Sequence, residues 1–256
     1  MTDAAFFRRL AAAAADQTLP RFRQKGMVSN KLASGFDPVT EADQEAERVI
    51  TALIGETYPE HGILGEEHGT KHGDGRHVWV IDPIDGTRAF ISGLPVWGTL
   101  VGLTENGDAV AGMMSQPFTG ELFYATTAGA FYEGPGGGGP LRTRQGSSLA
   151  DATLFTTTPA LFKNEKRALF DRLESSVRLS RYGVDCYAFA MLAAGHADLV
   201  IEAGLQPYDI VALIPIIEQA GGVITSFDGG PAEGGGDVIA AGSAELHAAA
   251  LKLIQS

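Results

Sequence analysis

The chain has 256 residues, 45% of them hydrophobic, enough for one large domain or two closely joined halves with a substantial core. Its 31 acidic against 19 basic residues give a formal charge of −12, which repels the backbone of nucleic acid and offers no basic patch to an anionic membrane. A single cysteine, Cys186, excludes an internal disulfide, and with no charged-then-apolar leader or long apolar span the chain reads as soluble and cytoplasmic.

In chain order, Phe6, Phe7, Leu10, Ala14 and Leu19 fall at the spacing of an amphipathic helix within 3–24. A second helix is predicted from near Thr40 to Tyr58-Pro59, where Val49, Ile50, Leu53 and Ile54 recur at helical spacing behind an acidic first turn. The run from His77 to Ile81 is rich in strand formers and stops at Asp82-Pro83, so a strand ends at the aspartate. Strands follow over 96–104, 109–115 and 121–126, with a hairpin signal at Asn106-Gly107, and this half reads as antiparallel. The run from Gly134 to Pro140 has no side chains for a core and is read as a flexible loop. Beyond about 150, strands at 153–157, 177–181, 197–202 and 237–241 alternate with helices at 161–174, 185–195, 209–220 and 243–254. Pro215 predicts a kink or break in the third of these helices. The expectation is an α+β half over 1–146 and an α/β half over 147–256, without an internal repeat.

The densest chemistry is Asp82-Pro83-Ile84-Asp85-Gly86-Thr87, where a strand gives way to a helix start. Both carboxylates can converge on one point, the Ile84 carbonyl can add a hard oxygen ligand, and Gly86 lets a substrate approach the main chain. Oxygen-only ligands favour magnesium, and the amides of Gly86 and Thr87 supply a positive source for an anion. An aspartate-rich turn that merely caps a helix would look the same in isolation. Gly65-Glu66-Glu67 offers a further pair of acids, which alone reads as a solvated face, and Asp209 after Pro207-Tyr208 alone reads as a helix cap. Cys186 has no activating partner in view and reads as a small buried residue, and no spacing among the six histidines suggests zinc.

Gly65-Glu66-Glu67, the 82–87 run and Tyr208-Asp209 occur in the order found in inositol monophosphatase-like enzymes. Asp37-Pro38-Val39-Thr40-x-x-Asp43 and Glu202, seven before Asp209, extend the resemblance over nearly the whole chain. Within that superfamily, Asp85-Gly86-Thr87-Arg88-Ala89-Phe90, the segment from Tyr182 to Ala188 and the segment from Gly204 to Asp209 resemble the histidinol-phosphate phosphatases. Tyr208 stands where inositol phosphatases usually carry tryptophan, and Asp185 just after Gly183 is a second departure from them.

The resemblance implies a layered αβαβα sandwich, a homodimer, no nucleic-acid or membrane partner, and magnesium-dependent hydrolysis of a small phosphate ester. The implied substrate is L-histidinol phosphate, of histidine biosynthesis. Four clustered carboxylates, Glu66, Asp82, Asp85 and Asp209, would repel one another unless cations neutralise them, and two magnesium ions balance their charge. By resemblance one ion is held by Glu66, Asp82 and the Ile84 carbonyl, the other by Asp82, Asp85 and Asp209, and a third, weaker ion is allowed. Thr87 would orient the attacking water with Asp43 accepting its hydroxyl proton, and Glu66 would assist. By resemblance Asp85, Gly86, Thr87 and Asp209 would also contact the substrate. Asp185 and Glu202 would pair with its cationic end by charge-assisted hydrogen bonds; as scaffold residues they would instead cap a helix and end a strand. Glu67 lies beside the site, and Arg88 either meets the substrate or stays on the surface. Competing readings are an inositol or broad-specificity phosphatase and, from another class, a non-catalytic metal- or phosphate-binding regulator, which would have no need for both Thr87 and Glu66.

Overall fold

The computed structural model describes residues 2–24, 28–30 and 38–255; Asp37 lies outside them. Helix α1 (Ala4–Thr18) opens on Asp3, whose carboxylate accepts the Phe6 N–H at 2.8 Å. It stops short of the predicted 24 because Pro20 withdraws an amide and a turn takes over. A two-stranded ribbon, β1 (Val28–Asn30) and β2 (Pro38–Thr40), leads into α2 (Glu41–Thr57), which starts on a reciprocal cap between Thr40 and Asp43.

An eight-stranded sheet follows: β3 (Gly62–Gly65), β4 (Gly69–Lys71), β5 (His77–Asp85), then after the short α3 (Thr87–Ile91), β6 (Gly98–Glu105), β7 (Asp108–Gln116), β8 (Glu121–Thr126), β9 (Gly129–Gly134) and β10 (Gly137–Pro140). Its order is β10-β9-β8-β7-β6-β5-β3-β4, antiparallel throughout except where β3 runs parallel to β5. The glycine run is therefore not a loop. Gly137 to Pro140 pairs with Gly134 to Phe131 as an edge hairpin, which main-chain hydrogen bonds can build without core side chains.

The rest of the chain forms β11 (Thr153–Thr156), α4 (Glu165–Ser176), β12 (Leu179–Tyr182), α5 (Tyr187–Ala193), β13 (Leu199–Leu205), α6 (Pro207–Ile210), α7 (Leu213–Gln219), β14 (Val223–Ser226), β15 (Gly236–Ala241) and α8 (Ala244–Ile254). Five of these make a mixed sheet in the order β12-β11-β13-β15-β14. The predicted helix over 209–220 is two helices broken at Val211 and Ala212, since Pro215 has no N–H to give the Val211 carbonyl. The helix predicted from 161 begins at Glu165, after a 3-10 turn at Pro159–Leu161, and β14 went unpredicted.

Strand alternation sorts these elements into five layers. Phe7, Leu10, Ile50 and Ile54 of α1 and α2 bury against Trp79 and Ile81 on one face of the larger sheet. Its other face, with Leu100 and Phe123, meets Phe189, Leu192, Leu213 and Ile217 of α5 and α7, which also cover Val200, Val238 and Ala240 of the smaller sheet. The intervening Leu199, Ile201 and Ile239 point outward to Phe170 and Leu173 of α4 and Leu246 of α8. The result is the layered mixed α/β architecture. Among the described residues, no helix is long and apolar enough to cross a membrane.

Candidate active site

Strand alternation alone would send Asp82 and Asp85 to opposite faces of the sheet. The pairing of β5 with β6 shifts between them: Asp82 opposes Leu100 and Asp85 opposes Gly98, three steps against two. This bulge turns both carboxylates to the same side, and Pro83, with no N–H to donate, suits it. The Thr99 hydroxyl donates to the Pro83 carbonyl at 2.8 Å and fixes the bend.

Asp82 is buried, and its Oδ1 accepts the Ile84 N–H at 3.0 Å. Asp85 Oδ2 accepts the Cys186 N–H at 2.6 Å. Asp209, in the first turn of α6, accepts the Gln206 N–H on Oδ2 at 2.7 Å. One oxygen from each of the three carboxylates lies within 4.8 Å of the others, a group that could hold a metal ion. Burial, then the charges of Glu66, Asp85 and Asp209, push Asp82 well above the usual carboxylate range; burial, then Asp185 and Asp209, do the same to Asp85.

Gly86 caps α3 at φ 85°, in the left-handed region, and a Cβ there would sit 3.2 Å from the Asp185 carboxylate. Glu66, Thr87, Arg88, Asp185, Tyr208 and Asp209 line the same cleft of about 410 Å³. Ile84 is fully buried, and its carbonyl accepts the Thr87 hydroxyl at 3.2 Å. Thr87 therefore does not donate to Asp43 in this structure. Asp43 Oδ2 is taken by the Thr40 N–H at 2.9 Å and the Thr40 hydroxyl at 2.5 Å, while its buried Oδ1 has no hydrogen-bond partner among the described residues. Burial lifts its pKa to about 7, against the lowering effect of Thr40.

Beneath the cleft surface, Glu202 lies within β13, not at its end, and is 1% exposed. Its Oε1 accepts the Thr157 N–H at 2.6 Å and its Oε2 has no hydrogen-bond partner among the described residues. Burial raises its pKa to about 8. Asp185 holds φ 41°, a conformation unusual for any residue but glycine, and burial raises it against the pull of Thr157 and Arg88. It does not cap α5, whose N-cap is Cys186. A small space of about 20 Å³ joins Asp185 and Glu202 to Asp85 and Asp209. Cys186 is buried, with its thiol pushed up by burial and by Asp85, as expected of a packing residue.

Two arrangements were not visible in the sequence. The fold gathers His61, Asp74 and His77 within 4.8 Å although their spacing is irregular. The two rings stack at 4.5 Å and 16°, so their in-plane lone pairs share no point, and His61 Nδ1 accepts the Trp79 indole N–H at 3.1 Å. In this structure the two rings therefore form an aromatic stack, with Asp74 hydrogen-bonded to the His77 ring. The second is Glu47, buried on α2, which accepts the main-chain N–H groups of Glu67 and His68 at 2.8 and 2.9 Å. Its signal was a carboxylate in the buried stripe of Asp43, Ile50 and Ile54.

Paired sheets with helices between and outside them, and acids that could hold a metal ion where β5 bulges, are the features by which the chain is placed among phosphatases. The chain is a phosphatase of the inositol monophosphatase family, whose model matches residues 2–256. It is 38% identical to the chloroplastic bifunctional phosphatase IMPL2 of Arabidopsis thaliana over 98% of this chain and 75% of that one. It is 33% identical to a histidinol-phosphatase of Streptomyces coelicolor over 93% and 91% of the two chains. The solved structure of an inositol monophosphatase from Zymomonas mobilis superposes with a TM-score of 0.86 at 38% identity, covering 98% of this chain and 97% of the other.

Proposed function

We propose that this chain hydrolyses L-histidinol phosphate to L-histidinol and phosphate with magnesium, as a step of histidine biosynthesis. The observation that carries the substrate is the second acidic wall: Asp185 and the half-partnered, buried Glu202 adjoin the carboxylate cluster through a shared space. An ammonium or imidazolium group is the natural complement of those acids, whereas a neutral polyol gains less from them.

The donor set fits magnesium: Asp82, Asp85 and Asp209 converge as oxygen ligands, and their mutual repulsion in a buried site calls for a hard cation. Glu66, Asp82 and the Ile84 carbonyl would hold one ion and Asp82, Asp85 and Asp209 a second. Bound there, magnesium supplies charge neutralisation of the phosphoryl oxygens and activation of water. Thr87, pinned to the Ile84 carbonyl, orients the water through its hydroxyl oxygen, which remains an acceptor. Asp43, whose Oδ1 has no hydrogen-bond partner among the described residues, would accept the proton that leaves this site. Gly86 allows the phosphate to approach the main chain of the α3 turn, and Arg88 on the cleft wall tempers the charge of Asp185. Residues 1–146 would supply most metal ligands and 147–256 Asp209 and the substrate acids, in a cytoplasmic homodimer.

Phosphate release from histidinol phosphate and from inositol 1-phosphate, each with and without magnesium, tests this reading. Preference for the first ester, lost without the metal, is expected. The solved relative from Zymomonas mobilis is named an inositol monophosphatase, so preference for inositol 1-phosphate would establish the second reading.

A further inference from the structure

The turn that presents Glu66 is gripped from below by a buried carboxylate. Glu47 is 1% exposed and sits one helical turn beyond Asp43 on α2. Its Oε2 accepts the Glu67 N–H at 2.8 Å; its Oε1 accepts the His68 N–H at 2.9 Å and meets His68 Nδ1 at 3.0 Å. Glu66 itself donates its N–H to the Ile81 carbonyl at 3.2 Å, immediately before Asp82. Three consecutive amides are thereby fixed, one to the strand that carries Asp82 and two to α2. Gly65 completes the fit, because a Cβ there would stand 2.1 Å from Glu47 Oε1. Packing alone would not select this residue, since a buried carboxylate carries a desolvation cost that an apolar side chain at the same place on α2 would avoid. What the carboxylate provides is two acceptors for two adjacent main-chain donors.

We propose that Glu47 is a positioning residue for Glu66: by fixing the 65–68 turn against β5 it sets the separation of the Glu66 and Asp82 carboxylates and hence the affinity for a divalent cation. This rests on the magnesium reading of the site. Glu47→Gln keeps the volume but replaces one acceptor by an NH₂ group that must face a main-chain N–H. Groups that orient metal ligands in this way typically govern affinity by about 10- to 100-fold.

The experiment is a calorimetric titration of the full-length protein with magnesium and manganese, with circular dichroism to verify folding. Wild type should bind, Asp82→Asn should lose binding, and Glu47→Gln should bind about 10- to 100-fold more weakly. In turnover assays the magnesium concentration for half-maximal rate should rise by the same factor, while kcat at saturating metal largely recovers and KM for the ester stays near wild type. A purely structural role would not produce that split. Folded Glu47→Gln that binds metal within about twofold of wild type overturns the inference. Absence of binding to wild type, or undiminished binding to Asp82→Asn, instead sinks the magnesium reading beneath it. Should Glu47→Gln fail to fold, Glu47→Asp, which keeps the charge but withdraws it by one methylene, decides by the same titration and the same criterion.

Discussion

Two acidic groups adjoin one small space beside the cleft, and they differ in how their carboxylates are arranged. Asp82, Asp85 and Asp209 each accept a main-chain amide and bring one oxygen apiece within 4.8 Å of one another. Asp185 and Glu202 belong to no such three-acid group among the described residues; they flank a small space, and Glu202 keeps one oxygen without a hydrogen bond to any of those residues. Convergent oxygens suit one small, highly charged ion, whereas acids set apart suit the spread charge of an organic cation. On the proposed reading, the two groups of acids would serve two different ligands. The division also follows the architecture, since the bulge of β5 builds the first wall and β13 with the turn before α5 builds most of the second.

The sharpest way to break this contrast is Asp82→Asn, which keeps the volume and removes the charge common to the proposed ions. Phosphate release should fall by at least ~100-fold with the fold intact by circular dichroism. Activity above about half of wild type would remove the first wall from the chemistry.

Asp185→Asn strikes the other wall. For histidinol phosphate kcat/KM should drop about ten- to a hundredfold, as charge-assisted hydrogen bonds are worth roughly 1.5–3 kcal/mol, while inositol 1-phosphate should change little. The ratio of the two specificity constants cancels general damage to folding or metal binding. Equal losses on both esters would reduce Asp185 to a scaffold residue that holds a strained turn against Gly86.

How much of this was legible in the sequence depends on distance along the chain. The 82–87 run carries the candidate metal ligands in contiguous residues, and the strand leading into it was read from the same letters, but β5 does not end at Asp82 as expected and continues through the bulge to Asp85. Asp209 and Glu66 became meaningful only with the motif order of the family, because an acid near a helix start is usually a cap. Nothing local announced the bulge that turns Asp82 and Asp85 to one side, since a register shift is a property of two paired strands. The hairpin of β9 and β10 escaped for a related reason: its edge strand is glycine, and main-chain pairing leaves no apolar pattern. Glu47 is legible only once the 65–68 turn is seen resting on α2.

Magnesium should stabilise the protein through the first wall alone. A ligand at 100 times its Kd contributes about 2.7 kcal/mol, which for a chain of this size raises Tm by roughly 5–10 °C. Asp82→Asn should abolish the shift and Asp185→Asn should retain it, as read by differential scanning calorimetry. A shift that survives Asp82→Asn would mean that the ion binds elsewhere.

The smallest effect expected is in pH dependence, and it isolates Glu202. Its pKa is about 8 in the fold against an ordinary value of 4.5, because burial outweighs its hydrogen bond from Thr157. Between those values the folded chain holds a proton that the unfolded chain has released, so this group makes stability decline as pH rises from 4.5 towards 8 and contributes no further change above it. The slope from one such group approaches about 1.4 kcal/mol per pH unit in mid-range. Glu202→Gln should remove it, so the difference in metal-free stability between wild type and variant should vary with pH across that interval and level off outside it. The same proton reports on the ligand. At neutral pH Glu202 is mostly protonated, and a cationic alcohol such as histidinol needs its carboxylate, so binding should expel close to one proton. Calorimetry in buffers of different ionisation enthalpy measures that release directly. Glu202→Gln should bind more weakly and release none from this position; equal proton release from both proteins would show that the cation never meets Glu202, and the second wall would then rest on Asp185 alone.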